Sequence, residues 1–534
     1  MTRSMRHRTV VTVLTAFLMA ISACSSGAGG GNSPEEAGPP KPGGTFTVLM
    51  PSDTKTLDPH KESSYNTHER IGLVYSRLLR EKISPDLEYG DIQLEGDLAK
   101  EWEVSDDGLT YTFRLRDGVR WHDVPPVNGR ELVADDVVAT FERIRKEGFQ
   151  AGLLQNVTDI EAPDDHTVVL RLSEPFVPLL NNMANHHMWI LPREAIEGEV
   201  DLNTKAIGTG PFILERWDRD VATTYRKNPD YYEKDLPYLD RVVFKVVPGQ
   251  EARVAAFRSG EVQYAAASTP EEADTLRAAV PDARMLEVGS TTAVLLYLNQ
   301  DRKPFDDLRV RQAISMALHR AQMGKVLWRG GKYPAPVQQL QKYALGQEEL
   351  KRLQPYDPER AKRLLAEAGY PNGFRTKLMV TSGYGPQYVR QAEWLVEDLA
   401  KVGIRVELEV VEYATYFSSR WPGEEYDMGI GPQTPFLEPD EHLRVQLHSD
   451  GARNWFNISD PKLDKMLAEQ AKVTDPNERA EKIKEIQRYV LTEVVNPINV
   501  WDRPVRVFIQ PNVQNNNPQP AYGFPELRTT WLAQ

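Results

Sequence analysis

Apolar and polar side chains alternate between residues 109 and 116, which predicts a half-buried β-strand. Asp-Asp-Gly at 106–108 and Asp-Gly at 117–118 are turn signals, because short polar side chains hydrogen-bond their own backbone and glycine accepts positive φ. Val119 and Trp121 begin a second alternation, so we predict a β-hairpin here. The apolar residues of its first strand are Leu109, Tyr111, Phe113 and Leu115.

A helix is predicted to follow this hairpin. Asp135 and Asp136 come just before an apolar run that begins at Val137. Acidic residues stabilise a helix N-terminus because they face the positive end of the backbone dipole. Residues 98–144 therefore read as hairpin, loop and helix. None of these side chains is chemically reactive, so the stretch indicates scaffold rather than catalysis.

Patterns further along the chain indicate the α/β class. Residues 375–381, 388–402 and 404–411 read as strand, helix and strand, with alternating apolar residues in the last segment. Two consecutive strands connected by a helix run parallel in one sheet. Helices are also predicted after Asp307 and Asp357, each of which can cap a first turn.

The order of turn, strand and helix positions in residues 98–144 resembles the signature of the family 5 extracellular solute-binding proteins of ABC importers. That family includes dipeptide- and oligopeptide-binding proteins. The resemblance implies an α/β, two-lobed fold of the periplasmic-binding-protein type (type II, with an extra domain) and a hinged cleft. It also implies that the protein is not an enzyme. The matching residues are Trp102, Asp107, Gly108, Phe113, Leu115, Arg116, Val119, Trp121, His122, Asp123, Ala134, Asp135, Asp136 and Val137.

The resemblance continues along the chain and implies its division into domains. Thr-Leu-Asp-Pro-His at 56–60 and Gly-Thr-Gly-Pro-Phe at 208–212 are similar to segments of the family's first lobe. The expected division assigns residues 45–79, 198–297 and 498–534 to the first lobe (domain I), 80–197 to an inserted domain II, and 298–497 to the second lobe (domain III).

The first 44 residues are predicted to direct and tether the protein. Three arginines precede the apolar run Val10–Ile21, which is short for a membrane span, since a span takes roughly 20 residues. Ile-Ser-Ala-Cys at 21–24 resembles the lipobox of bacterial lipoproteins. It implies a signal peptide over 1–23 and a lipid on Cys24 that anchors the protein to a membrane outside the cytoplasm. A plain secretory signal with an incidental cysteine is the alternative.

Residues 24–44 are rich in Gly, Pro and Ser and cannot bury apolar area, so they are predicted to form a flexible tether. The chain of 534 residues is long enough for two or three domains. Its net charge of −13 argues against nucleic acid as a partner, because that needs clustered Lys and Arg.

The sequence carries no motif of an enzyme or a metal site. His-Glu-x-x-His, Gly-x-Ser-x-Gly and Gly-x-Gly-x-x-Gly are absent, and Cys24 is the only cysteine. His186 and His187 are adjacent, but neighbours in a strand point to opposite faces and rarely share an ion. We therefore expect no cofactor and no metal. We also expect the protein to be a monomer.

The loop at 426–440 is the expected meeting point with the solute. In the family it has the form y-D-x-x-x-x-g-W-x-x-D-y-x-x-P, and the second Asp in several peptide binders pairs with the peptide's free amine. Alignment on Glu438 and Pro439 places Pro435 where that Asp stands and Pro432 where the Trp stands. Peptide specificity therefore stays open.

Four residues of this loop are candidate ligand contacts. Gln433 and Thr434 can hydrogen-bond a neutral polar solute, Phe436 can form an apolar wall, and Glu438 can still supply a carboxylate. The alternative is that the Pro-rich loop only stiffens its lobe.

Two aromatic residues are further candidates because the chain is expected to cross between the lobes beside them. Tyr297 precedes the first predicted crossover and Trp501 follows the second. Aromatic rings at a hinge can stack on a ligand, although each can also belong to a core.

These features together predict a lipid-anchored binding protein that captures a small peptide or another polar solute and delivers it to the transmembrane subunits of an ABC permease. Alternatives are an oligosaccharide or other small-solute binder on the same scaffold, a ligand sensor, and a secreted hydrolase.

Overall fold

The computed structural model describes most of the chain after the predicted signal peptide and tether. Residues 1–23, Cys24 and the tether as far as residue 37 lie outside the described residues, and so do Gln433 and Thr434. No helix in the described part is long and apolar enough to cross a bilayer. The described residues are 38–533 except 51, 62–63, 85, 268, 289–292, 339, 384, 433–435 and 520.

The strands pair into three larger sheets and two short ribbons. They are β1 (Thr45–Met50), β2 (Leu79–Glu81), β3 (Leu94–Gly96), β4 (Ala99–Val104), β5 (Thr110–Leu115), β6 (Val157–Asp164), β7 (Thr167–Leu172), β8 (Phe212–Asp218), β9 (Ala222–Lys227), β10 (Arg241–Val246), β11 (Tyr264–Ala267), β12 (Arg284–Val288), β13 (Val294–Leu298), β14 (Arg375–Val380), β15 (Arg405–Val410), β16 (Met428–Pro432), β17 (Ile498–Asn499), β18 (Val505–Ile509), β19 (Val513–Gln514) and β20 (Trp531–Leu532).

Most of the longer helices begin with a capping side chain or a proline in the first turn, both of which suit the unpaired amides there. Asp307 and Asp357 cap their helices as predicted. The helices are α1 (Tyr65–Ile71), α2 (Ala134–Glu147), α3 (Leu179–Asn182), α4 (Arg193–Ile196), α5 (Gln250–Arg258), α6 (Pro270–Ala279), α7 (Leu308–Ala317), α8 (Arg320–Met323), α9 (Gln347–Leu353), α10 (Pro358–Glu367), α11 (Pro386–Ala400), α12 (Tyr413–Thr415), α13 (Pro439–Leu447), α14 (Pro461–Gln470) and α15 (Pro476–Tyr489).

The first lobe is built on a seven-stranded sheet that collects strands from both ends of the chain. Its order is β12-β18-β11-β1-β10-β9-β8. Strand β1 lies parallel to β10 and β11, whereas β18 is antiparallel to both of its neighbours. The C-terminal part of the chain therefore completes a sheet that the N-terminal part begins.

The second lobe is built on a five-stranded sheet of order β15-β14-β16-β13-β17. The predicted strand–helix–strand unit is confirmed, because β14 and β15 are parallel neighbours joined through α11. In β14 the inward side chains Leu378 and Val380 are fully buried, and they belong to a core that also contains Leu395 of α11.

The predicted lobe boundaries at 297/298 and 497/498 need correction. Strands β13 and β17 both pair within the second sheet, so residues 294–297 and 498–499 belong to the second lobe. The chain passes between the two sheets twice, once after β12 ends at Val288 and before β13 begins at Val294, and once after β17 ends at Asn499 and before β18 begins at Val505. The strand pairing assigns β13 and β17 to the second sheet. Their composition could not do so, because both strands are apolar and would fit either sheet.

Within the predicted inserted domain lies a four-stranded antiparallel sheet of order β4-β5-β7-β6. Strand β5 confirms the predicted alternation, but its hairpin partner is the preceding β4. The second strand expected from Val119 and Trp121 is wrong, because this segment forms only one isolated bridge, between Arg120 and Glu131. The predicted helix is α2.

Two parts of the family-like signature contact each other where the inserted domain meets the first lobe. The amide of His122 donates to the carbonyl of Gly208 at 2.8 Å, and its ring Nε2 bonds the carbonyl of Gly210 at 3.0 Å. A Cβ at Gly208 would lie 2.0 Å from the carbonyl oxygen of Val74, so only glycine fits. The family-like pattern thus has a structural role, and one continuous core links this domain to the first lobe.

Candidate functional site

The two crossovers give the second lobe two covalent connections to the first, side by side. Residues 288 and 505 are paired in the first sheet, and 295 and 499 are paired in the second. Beside the second crossover, Lys332 of the second lobe forms an isolated bridge with Asp502. Such an arrangement can act as a hinge.

Away from the hinge, the lobes are joined by hydrogen bonds between side chains. The Asn181 amide donates to Glu438 Oε2 at 2.6 Å, and the Asn185 amide donates to Glu441 Oε2 at 2.7 Å. The backbone N–H of Val177 donates to the carbonyl of Ala471 at 2.9 Å. Segment 177–185 belongs to the predicted inserted domain, on the same side as the first lobe. It therefore lies against α13 and the end of α14.

Glu438 lies at the start of α13 and caps it by accepting the amide of Asp440 at 3.0 Å. It is 1% exposed, and its carboxylate is ion-paired with Arg479 of α15, whose Nη1 lies 3.2 Å from Oε2. The prediction that Glu438 offers a carboxylate to the solute is therefore not supported, because this charge is already neutralised inside the protein.

Phe436 is also part of the second lobe's interior. Its ring stacks on the imidazole of His442 with centroids 4.7 Å apart, and it is buried in a core cluster. It packs against the lobe rather than lining a free apolar wall. Gln433 and Thr434 remain predictions, since they lie outside the described residues.

Tyr297 is not at the crossover. It lies inside β13, is 0% exposed, and stacks on Trp421 with ring centroids 5.1 Å apart and planes 11° apart. Gly429 and Gly431 of the neighbouring strand make room for its ring. In this structure the ring fills the core of the second lobe, and a contact between Tyr297 and a solute stays a prediction.

Trp501 does lie in the second crossover, as expected, but its indole is packed into the second lobe. Its Nε1 donates to the carbonyl of Gly330 at 3.0 Å. A Cβ at Gly324 or Gly331 would come within 2.3 Å of the indole. The ring therefore fastens the crossover to its own lobe and does not face a solute.

Two charged residues of the second lobe that the sequence did not indicate face the first lobe. Glu441 is held by Asn185, and burial raises the pKa of its carboxyl to about 7. The guanidinium of Arg453 lies over the ring of Phe149, 4.7 Å from its centroid, and lowers the pKa of Glu441 electrostatically. Glu441 comes three residues after Glu438, and only the contact with Asn185 distinguishes it.

On the opposite side, the first lobe presents three imidazole rings. His68 comes from α1, and His186 and His187 follow α3. Their centroids are 4.3–4.6 Å apart, and Tyr522 stacks on His186 at 3.8 Å. Glu441 and Arg453 act electrostatically on Tyr522, so the rings lie beside the charged wall of the second lobe. The adjacent histidines were noted in the sequence, but His68 carries no local signal.

The sequence model described as "Bacterial extracellular solute-binding proteins, family 5 Middle" matches residues 93–454. The chain belongs to this family. It is a family 5 solute-binding protein, a component of an ABC importer, and its predicted two-lobed α/β fold is confirmed by solved relatives. The family consists of binding proteins that act outside the cytoplasm.

Relatives of this family 5 protein differ in what their names say they bind. The dipeptide-binding protein of Escherichia coli (strain K12) is 31% identical over 83% of this chain and 86% of that protein. Heme-binding protein A of Haemophilus influenzae is 29% identical over 80% of each. A structure of the ABC transporter-associated periplasmic binding protein DppA from Helicobacter pylori with peptide STSA is 26% identical, with a TM-score of 0.78 over 92% of this chain and 99% of that one.

Proposed function

We propose that this family 5 protein captures a short peptide, or another polar solute of similar size, between its two lobes and delivers it to the transmembrane subunits of an ABC permease. The lobes hold the solute while closed, and binding shifts the population towards the closed form that the permease recognises.

The observation that carries this proposal is the hydrogen bond from Asn185 to Glu441, which joins the lobes next to a polar lining. Glu441 and Arg453 offer one acidic and one basic group on the same wall, which complements the amine and the carboxylate of a peptide. The missing Asp at position 435 argues for a different way of holding the amine, not for the loss of peptide binding.

An oligosaccharide receives less support from the structure. Sugar rings are commonly held by stacking on exposed aromatic faces in a cleft. Tyr297 and Trp501, the two predicted platforms, are both packed inside the second lobe. Peptides therefore remain the leading class.

Native mass spectrometry of the purified protein, followed by calorimetry with peptide and sugar panels, tests the cargo. We expect di- to tetrapeptides with a free amine to bind, and Glu441→Gln to weaken them by about tenfold, as for the loss of one charge-assisted hydrogen bond. Glu349→Gln is the matched control, because Glu349 pairs with Arg488 within the second lobe. Wild-type protein that binds N-acetylated peptides as tightly as free-amine peptides, or Glu441→Gln that binds free-amine peptides as tightly as the wild type, would refute this assignment.

We also propose that a lipid on Cys24 anchors the protein and that the folded body works as a monomer. Cys24→Ala is expected to move the protein from the membrane fraction to the soluble fraction, because the lipid supplies the anchor. Cys24→Ala protein that still partitions with membranes would contradict the anchor.

A further inference from the structure

The three imidazoles beside the cleft come close enough to share one ion. Each of His68, His186 and His187 is at most 3% exposed, and one ring nitrogen from each lies within 4.8 Å of the other two. Among the described residues, this is the one group of three His, Cys, Asp or Glu side chains with that spacing.

Hydrogen bonding inside the protein does not account for all of these nitrogens. Nδ1 of His186 and Nδ1 of His187 are buried without a hydrogen-bond partner. Buried polar atoms are nearly always satisfied, so two orphans in one cluster point to a missing partner. The carbonyl of Pro59 hydrogen-bonds the His187 ring, as second partners of metal-binding histidines commonly do.

We propose that His68, His186 and His187 bind a divalent late first-row transition-metal ion, and that the captured solute completes its coordination. The donor set is three imidazoles with no thiolate, which suits Ni²⁺, Cu²⁺, Co²⁺ or Zn²⁺ and does not suit Ca²⁺ or Mg²⁺. The inference rests on the proposed function, since it names the cargo of that same cleft as a metal with a small chelating solute.

Only small movements are needed to form the site. An ion equidistant from three nitrogens spaced at the 4.8 Å limit lies about 2.8 Å from each, against roughly 2.0–2.1 Å for a metal–imidazole bond. Each ring therefore closes in by about 0.7 Å or less. Three protein ligands leave positions open, and carbonyl oxygens of the captured solute can fill them while Glu441 and Arg453 bind its amine and its carboxylate.

The test is a titration of the metal-stripped full-length protein with NiCl₂, ZnCl₂ and CuCl₂, each alone and with glycylglycine, by calorimetry and elemental analysis. We expect one ion per chain, more than about tenfold weaker binding in His186→Gln and in His187→Gln, and unchanged binding in His166→Gln. His166 is a half-buried histidine of the inserted domain and serves as the matched control. Glycylglycine is expected to bind more tightly with the metal than without it.

Electron paramagnetic resonance of the Cu²⁺ form gives a readout that does not depend on a variant folding. Hyperfine structure from three imidazole nitrogens supports the site; its absence, a stoichiometry far below one, or equal affinity in all variants overturns it. Failure here with peptide binding intact leaves the proposed function standing. Metal binding without any solute capture would instead refute the proposed function.

Discussion

Glu438 and Asp440 are buried carboxyls at the start of α13, and they share one arginine. Only Glu438 is ion-paired with Arg479. Burial, together with the charge of Glu438, raises the pKa of Asp440 to about 7, and Gln470 donates a hydrogen bond to it. Asp440 is therefore partly protonated near neutrality.

The raised pKa of Asp440 makes the stability of the protein depend on pH. Below about pH 4 the residue is protonated in both the folded and the unfolded chain. As pH rises from about 4 to 7 the unfolded chain ionises first, so the free energy of unfolding falls across this window and then levels off. Asp440→Asn removes this contribution.

We expect Asp440→Asn to gain stability over the wild type from pH 4 to pH 7, by an amount of the order of 2–4 kcal/mol at 1.36 kcal/mol per pKa unit. Chemical denaturation at several pH values measures it. A difference between the two proteins that stays constant with pH would show that Asp440 does not titrate in this way.

Sequence reasoning at this scale found positions but not partners. Glu438 was predicted to offer its carboxylate to the solute, but its partner Arg479 lies 41 residues away and nothing local links them. The packing of Tyr297 and Trp501 was not predictable for a related reason. An aromatic residue in a core and one that binds a ligand are the same residue type in the sequence. Only the packing around the ring distinguishes the two roles.

Among the elements, α13 makes two of the side-chain contacts that join the lobes. Its first turn receives amide donors from Asn181 and Asn185, both in the segment that follows β7. A net gain of about 0.5–1.5 kcal/mol per hydrogen bond is enough to bias a hinge. We therefore expect closure of the cleft to use these contacts.

The double variant Asn181→Ala/Asn185→Ala is expected to populate the open form more and to bind solute up to about tenfold less tightly. Small-angle scattering with and without solute, combined with calorimetry, measures both effects. Asn203→Ala is the control, because Asn203 bonds only to nearby residues of the first lobe, Thr56 and Asp201. An unchanged radius of gyration and affinity would show that closure does not use these bonds.

Elements with local signals were predictable. The alternation of β5, the caps at Asp307 and Asp357, and the β14-α11-β15 unit are all present. The incorrect predictions concern strands whose assignment requires the partner strand to be known. The segment after Gly118 alternates but has no neighbour to pair with beyond one bridge, and β13 joins the second sheet because its partners lie there.

In the whole molecule, the family and its two-lobed architecture followed from sequence because many turn and strand positions had to agree at once. The cleft lining did not follow, because its walls combine α1, the segment after α3, α13 and residue 453, which are far apart in the chain. The local patterns that identify the scaffold do not show which of these distant segments meet.

The second lobe is one continuous segment, residues 294–499, inserted between two strands that are antiparallel neighbours, β12 and β18. The second lobe therefore occupies the position of the turn in a β12–β18 hairpin. Replacement of 289–504 by Asn-Gly joins the paired residues Val288 and Val505 through a two-residue turn. We expect the remaining chain to unfold cooperatively by circular dichroism; loss of a cooperative transition would contradict this. A scaffold of this kind can exchange the half that closes over the cargo and keep the half that completes the first sheet.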